Sequence, residues 1–208
     1  MNPLELAGHG PVIPVIVLQR VEDAVPLAEA LVAGGVRVLE VTLRTPAALD
    51  CIRAMVAAVP EAIVGAGTVL TVADVRDVHA AGGQLIVSPN FDADVVRETV
   101  RLGLVSLPGV ITPSEAFAAL QAGATGLKLF PAEMINPAVV KALRAVLGSD
   151  TLLLPVGGIS AHNMAPWRAA GASGFGIGSA LYKPGMSLPQ IKENASQFIA
   201  NYLGLTSA

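Results

Sequence analysis

VADVRDVHAAGGQLIVS, residues 72–88, holds one complete unit of this fold. Val72 to Ala81 reads as a helix, an alanine-containing stretch with charges at helical spacing. Ala81-Gly82-Gly83 stops it, because glycine past a helix end takes the left-handed conformation that turns the chain back. Gln84 to Ser88 follows as a short aliphatic run without polar alternation, the pattern of a parallel strand buried on both faces.

The unit recurs in both directions. Strand-like runs stand at Val12 to Leu18, Val36 to Val41, Ala62 to Ala66 and Gln84 to Ser88. Four more follow at Leu104 to Leu107, Gly126 to Phe130, Leu152 to Val156 and Gly174 to Gly178. Between them lie helix-like segments at Val21 to Ala33, Pro46 to Val59, Val72 to Ala81 and Asp92 to Leu102. The later ones are Pro113 to Ala122, Pro137 to Leu147, Ala161 to Ala170 and Leu188 to Tyr202. Strands alternating with helices in this way build βαβ units on a parallel sheet. Eight units in 208 residues meet the lower size limit of a closed (β/α)8 TIM barrel. The expectation is therefore an α/β chain with residues 1–208 in a single barrel domain. An open doubly wound sheet is the competing arrangement. The first loop lacks a dinucleotide-type glycine fingerprint, and eight even repeats suit closure.

Hydrophobic residues make up 53% of the chain, charged ones 14%, and mean hydropathy is +0.63. No apolar run approaches the roughly 18–20 residues of a membrane span. The surplus of Ala, Val and Leu fits doubly buried strands, with some apolar surface left for a partner subunit. A net charge of −3 argues against nucleic acid, whose binding needs clustered Lys and Arg. Cys51 has no disulfide mate, and His9, His79 and His162 show no ligand spacing, so no metal is expected. Met1 to Leu6 lacks the basic and apolar regions of a signal peptide, which points to a cytoplasmic protein.

In a barrel of this kind, chemistry gathers at the C-terminal strand ends and the loops after them. Lys128 is the most informative residue there. Lys141, Lys183 and Lys192 fall in helices or loops, whereas Lys128 lies inside the apolar strand Gly126-Leu127-Lys128-Leu129-Phe130-Pro131. Burial disfavours an ammonium, and a neutral lysine amine attacks a ketone to form an imine, chemistry that would need no organic cofactor. The plainer alternative is a structural ion pair. Glu40 is the second anomaly, a carboxylate between Leu39 and Val41 that shares a strand face with Thr42. Pointing inward, it would meet Lys128, and burial would raise its carboxyl towards the range useful for proton transfer. It would serve equally as the partner of a structural pair.

Arg44, just past that strand, is either a two-pronged carboxylate contact or an ordinary surface arginine. Thr68 follows Gly65-Ala66-Gly67, where small residues let a ligand approach backbone and hydroxyl. Gly157-Gly158 and Gly178-Ser179 follow the seventh and eighth runs, the recurrent phosphate site of the fold. Tight turns with no ligand would use the same glycines.

Four stretches then resemble one family: Leu39-Glu40-Val41-Thr42-Leu43-Arg44-Thr45, Gly65-Ala66-Gly67-Thr68-Val69, Leu127-Lys128-Leu129-Phe130-Pro131 and Pro155-Val156-Gly157-Gly158-Ile159. They are similar to the 2-keto-3-deoxy-6-phosphogluconate (KDPG) aldolases, class I enzymes that also cleave 4-hydroxy-2-oxoglutarate. The resemblance implies a homotrimeric lyase that releases pyruvate and glyceraldehyde 3-phosphate from a phosphorylated keto acid. It implies Lys128 as the Schiff-base lysine and Glu40 as general acid and base. Arg44 and Thr68 would hold the pyruvate carboxylate, Phe130 and Pro89 would line the site, and Gly157, Gly158 and Ser179 would take the phosphate. One position departs. Val156 stands where the gluconate type carries threonine, and valine there is similar to the sister 2-keto-3-deoxy-6-phosphogalactonate aldolases. Losing one hydroxyl contact shifts discrimination by about 1–3 kcal/mol, enough to favour one epimer without excluding the other. Functions of another class on this barrel are a phosphosugar isomerase or synthase, and a non-catalytic phosphosugar-binding protein.

Overall fold

The structure, a computed structural model, describes residues 12–205. Met1 to Leu6, read above for a signal peptide, and His9 lie outside the described residues. The strands are β1 (Val12–Ile16), β2 (Val38–Thr42), β3 (Ile63–Gly67), β4 (Leu85–Val87) and β5 (Val105–Leu107). They continue with β6 (Gly109–Val110), β7 (Gly126–Leu129), β8 (Leu152–Pro155) and β9 (Phe175–Ile177). The helices are α1 (Ala24–Ala33), α2 (Ala48–Ala58), α3 (Val72–Ala80) and α4 (Ala93–Arg101). After them come α5 (Pro113–Gln121), α6 (Pro137–Arg144), α7 (Met164–Ala169) and α8 (Leu188–Gly204).

Every strand pairing is parallel. The ladders run β5-β4-β3-β2-β1-β9 and β6-β7-β8. They meet at both edges. Pro108, which has no N–H to give to a ladder, separates β5 from β6, and the two are one strand with a break. Thr125 N–H donates to the Ser106 carbonyl and Lys128 N–H to the Pro108 carbonyl, each at 2.9 Å, tying that strand to β7. On the other side Val156 bridges Gly176, and Ser173 N–H donates to the Leu153 carbonyl at 2.8 Å. The ring closes into a (β/α)8 TIM barrel, and the open sheet is set aside.

Strand side chains form two cores. Leu39, Val41, Val64, Ile86, Leu127 and Leu153 pack outward against the helices. Ile13, Val38, Ile63, Leu85, Leu107 and Leu154 belong to a second cluster that fills the lumen. Burial on both faces explains why the runs lack alternation. Because side chains alternate, the residues that follow Val38 on the inner face of β2 are Glu40 and Thr42.

The return loops are fixed by local chemistry. Thr71 with Asp74, and Thr112 with Glu115, form capping boxes that start α3 and α5. Gly82 (φ +84°) and Gly123 (φ +102°) make the left-handed turns that lead into β4 and β7. Several expected boundaries shift by a few residues. The first helix opens with a 3-10 turn at Val21–Asp23 before α1, Ala161 to Ala170 shortens to α7, and the fifth run extends past Pro108.

Candidate active site

β2 and β7 bring two opposite charges together in an apolar lumen. Lys128 Nζ lies 3.8 Å from Glu40 Oε1, with Lys128 6% and Glu40 2% exposed. At that separation the contact is a charge pair and not a hydrogen bond. Glu40 Oε1 has no hydrogen-bond partner among the described residues. The Lys128 ammonium also sits 4.9 Å from the centre of the Phe130 ring, whose face attracts a cation. Val87, Leu107, Leu154 and Val156 close in around the pair. Loss of water pushes the Glu40 carboxyl above its ordinary range, and the charges of Lys128 and then Arg44 oppose that rise.

Two further observations bear on Glu40. Thr42, on the same face of β2, is 1% exposed, and its hydroxyl has no partner among the described residues. Unmatched buried polar atoms are costly, and Glu40 and Thr42 present two of them on one face of β2. Gly67 is the register partner of Thr42, and a Cβ there would run into the Glu40 carboxylate. The carboxylate would have to shift to make room for that Cβ. Gly67→Ala is therefore expected to displace it from Lys128 and lower kcat about 10- to 100-fold, because small misplacements of reacting groups are expensive. Steady-state kinetics beside a thermal melt checks this; a melt that drops with kcat intact would overturn it.

The remaining predicted residues ring the mouth. Arg44 is exposed, and its charge reaches Glu40. Thr68 is half-buried with φ +59°, a left-handed conformation that costs a β-branched residue about 1–3 kcal/mol. Sequence alone showed the small residues before Thr68 but not its strained backbone. Pro89, half-buried, has its carbonyl pressed against Gly109, where any Cβ would collide with it. Gly157 (φ +114°) and Gly158 (φ +64°) make a turn held by Asn163, whose Nδ2 donates to the Gly158 carbonyl at 2.8 Å. Asn163 Oδ1 accepts the Ser160 N–H at 2.9 Å.

A cleft of about 440 Å³ opens above the lumen, lined by Phe130, Gly157, Gly158, Ser160 and Ser179 among others. Val156 lines both the lumen and this cleft, and so connects them. Arg44, Thr68 and Pro89 stand at the ends of β2, β3 and β4, outside the cleft wall. A larger hollow of about 540 Å³, beside Arg20 and Tyr182, contains none of the predicted site residues. Glu133, in the 3-10 turn Ala132–Met134, lines the cleft and was missed by the sequence reading, where it looks like a solvated surface charge. Among the described residues there is no cluster of three potential metal ligands, and no helix is long and apolar enough to cross a membrane.

The sequence matches the family described as KDPG and KHG aldolase over residues 5–198. The chain belongs to that family. It is 47% identical over 162 residues to the KHG/KDPG aldolase of Escherichia coli K12, covering 77% of this chain and 75% of the relative. It is 43% identical over 182 residues to the probable 2-dehydro-3-deoxy-6-phosphogalactonate aldolase of Rhizobium meliloti, covering 87% and 86%. The KDPG aldolase of Legionella pneumophila, solved with pyruvate captured at low pH as a covalent carbinolamine intermediate, superimposes with a TM-score of 0.84. That pair is 33% identical, over 96% of this chain and 98% of the other. For a KDPG and KHG aldolase family member, a buried lysine beside a carboxylate at the C-terminal strand ends is a chemically coherent centre.

Proposed function

We propose that this aldolase cleaves a phosphorylated 2-keto-3-deoxy sugar acid through a Schiff base on Lys128. One observation carries the assignment: Lys128 and Glu40 lie 3.8 Å apart, buried, beneath the cleft. Lys128 Nζ attacks the C2 ketone, and Glu40 supplies and removes protons as the carbinolamine loses water. The iminium draws the electrons of the C3–C4 bond while Glu40 takes the C4 hydroxyl proton, and the aldehyde leaves. The enamine is protonated at C3, and water releases pyruvate and the free amine. Arg44 and Thr68 hold the keto-acid carboxylate at the mouth, with Pro89 and Phe130 as walls. Gly157, Gly158 and Ser179 take the distal phosphate. No step calls for a metal or an organic cofactor.

The first substrate assignment is 2-keto-3-deoxy-6-phosphogluconate, with 4-hydroxy-2-oxoglutarate as a second substrate. The stretch Leu39 to Thr45, which carries Glu40 and Arg44, and the E. coli KHG/KDPG relative support it. Val156, which links lumen to cleft, and the Rhizobium meliloti relative favour the galactonate epimer as the alternative. Within this scheme the chain acts as one barrel domain over residues 1–208, in the cytoplasm, as a homotrimer whose contacts absorb part of its apolar surface. Pyruvate release from the two epimeric phosphates, measured side by side, decides between them. Preference for the gluconate epimer supports the first assignment, preference for the galactonate epimer supports the alternative, and activity on neither removes both.

A further inference from the structure

The proposed phosphate cleft carries an unexpected charge. Of the described side chains that line it, only Glu133 is ionisable, and it is an acid. Among the described residues no Lys or Arg lines the cleft to offset it. Glu133 is exposed and makes no hydrogen bond or ion pair with any described residue. Its carboxylate lies directly over the glycine turn. A Cβ added to Gly157 would collide with that carboxylate, and one added to Gly158 would come within 3.1 Å of the Glu133 Cγ. The two consecutive glycines therefore leave space that Glu133 fills.

From this arrangement, which rests on the aldolase assignment above, we propose that Glu133 is a specificity-determining residue that sets charge selectivity at the distal end of the substrate. Its carboxylate must swing off the Gly157–Gly158 turn before a phosphate seats there. Its charge then stays close to the bound phosphate, weakening the hold on phosphorylated ligands and easing release of the phosphorylated aldehyde. A substrate without the phosphate gains or loses nothing from that charge. The site thus tempers an anion affinity supplied by backbone N–H groups and the Ser179 hydroxyl. Two like charges within a few ångströms in a solvent-exposed cleft change affinity by roughly three- to tenfold, and salt screens most of the effect.

The test compares wild type with Glu133→Gln, which keeps the shape and removes the charge. KM is measured for the phosphorylated keto acid and for the same acid without phosphate, at low and at high ionic strength. The expected result is a rise of roughly three- to tenfold in the ratio of unphosphorylated to phosphorylated KM at low salt. That shift should shrink at high salt, and inorganic phosphate should become a tighter competitive inhibitor of the variant. An unchanged or falling ratio in an active enzyme would overturn the inference alone. A shift insensitive to salt would also overturn it, since a steric effect is not screened. Borohydride trapping of pyruvate on the wild-type protein runs in parallel. Its failure would bring down the Schiff-base assignment, and the inference with it.

Discussion

Lys128→Ala is expected to lose at least about 10⁴-fold in kcat and all borohydride-trappable adduct with pyruvate, because it removes the amine that forms the imine in the proposed scheme. At 1.36 kcal/mol per decade this is about 5.5 kcal/mol of transition-state stabilisation. The fold should withstand the change. Removing one partner of a buried ion pair normally leaves an uncompensated charge. Here the raised Glu40 carboxyl provides an escape, since it takes up a proton instead of remaining ionised alone. Lys128→Met, which fills the space left by the side chain, separates loss of chemistry from loss of packing. Mass spectrometry after borohydride treatment with pyruvate reads the adduct directly. A variant lacking the amine that still turned over at the wild-type rate would end the Schiff-base scheme, whatever its stability.

Glu40→Gln should separate in the opposite sense. Turnover is expected to fall about 10²- to 10³-fold, the usual worth of a positioned acid and base, while some imine trapping persists because the nucleophile remains. Stability should rise at neutral pH. Burial is the leading cause of the raised carboxyl, so the folded state prefers it protonated and the unfolded state ionises first. The wild type therefore keeps full stability below the ordinary carboxyl value of 4.5 and loses part of it as pH rises through the raised folded value. Glutamine cannot ionise and escapes that loss, so the gain is absent in acid and grows with pH. Melting curves across that range, beside kcat profiles, check both halves. A variant less stable than wild type at neutral pH would show that the Lys128 attraction outweighs desolvation.

What the chain disclosed in advance follows from which forces are local. Doubly buried strands show as unbroken aliphatic runs, and glycines after helices show as turns, so the unit at residues 72–88 and its recurrence along the chain, eight units in all, made the barrel foreseeable. Lys128 and Glu40 stood out because a charge in an aliphatic run has few explanations. Their inward direction followed from alternation once the ring closed. The break at Pro108 was hidden because the strand resumes for only two residues, Gly109–Val110, too few to register as a run. Glu133 was hidden for a different reason. Its importance depends on glycines 24 positions further on, at Gly157, and no local pattern reports such a meeting. Arg44 remained divided between two readings because an exposed arginine at a strand end looks the same whether or not a ligand arrives.

The glycines along the inner wall also bear on how this catalyst changes over generations. A side chain at Gly65 would strike the backbone of Leu85, one at Gly67 would strike the Glu40 carboxylate, and one at Gly109 would strike the backbone of Pro89. A lineage moving by single substitutions meets an obstacle at each of these positions, so the lumen wall around Lys128 and Glu40 is nearly frozen. In the open cleft Gly157 and Gly158 are constrained too, by their left-handed backbone and the Glu133 side chain, but Val156, Ser160 and Ser179 beside them already carry side chains, and exchanging those alters chiefly what the distal end of a ligand meets. Descendants of this chain would diverge in the aldehyde they release long before they diverged in the keto acid they bind.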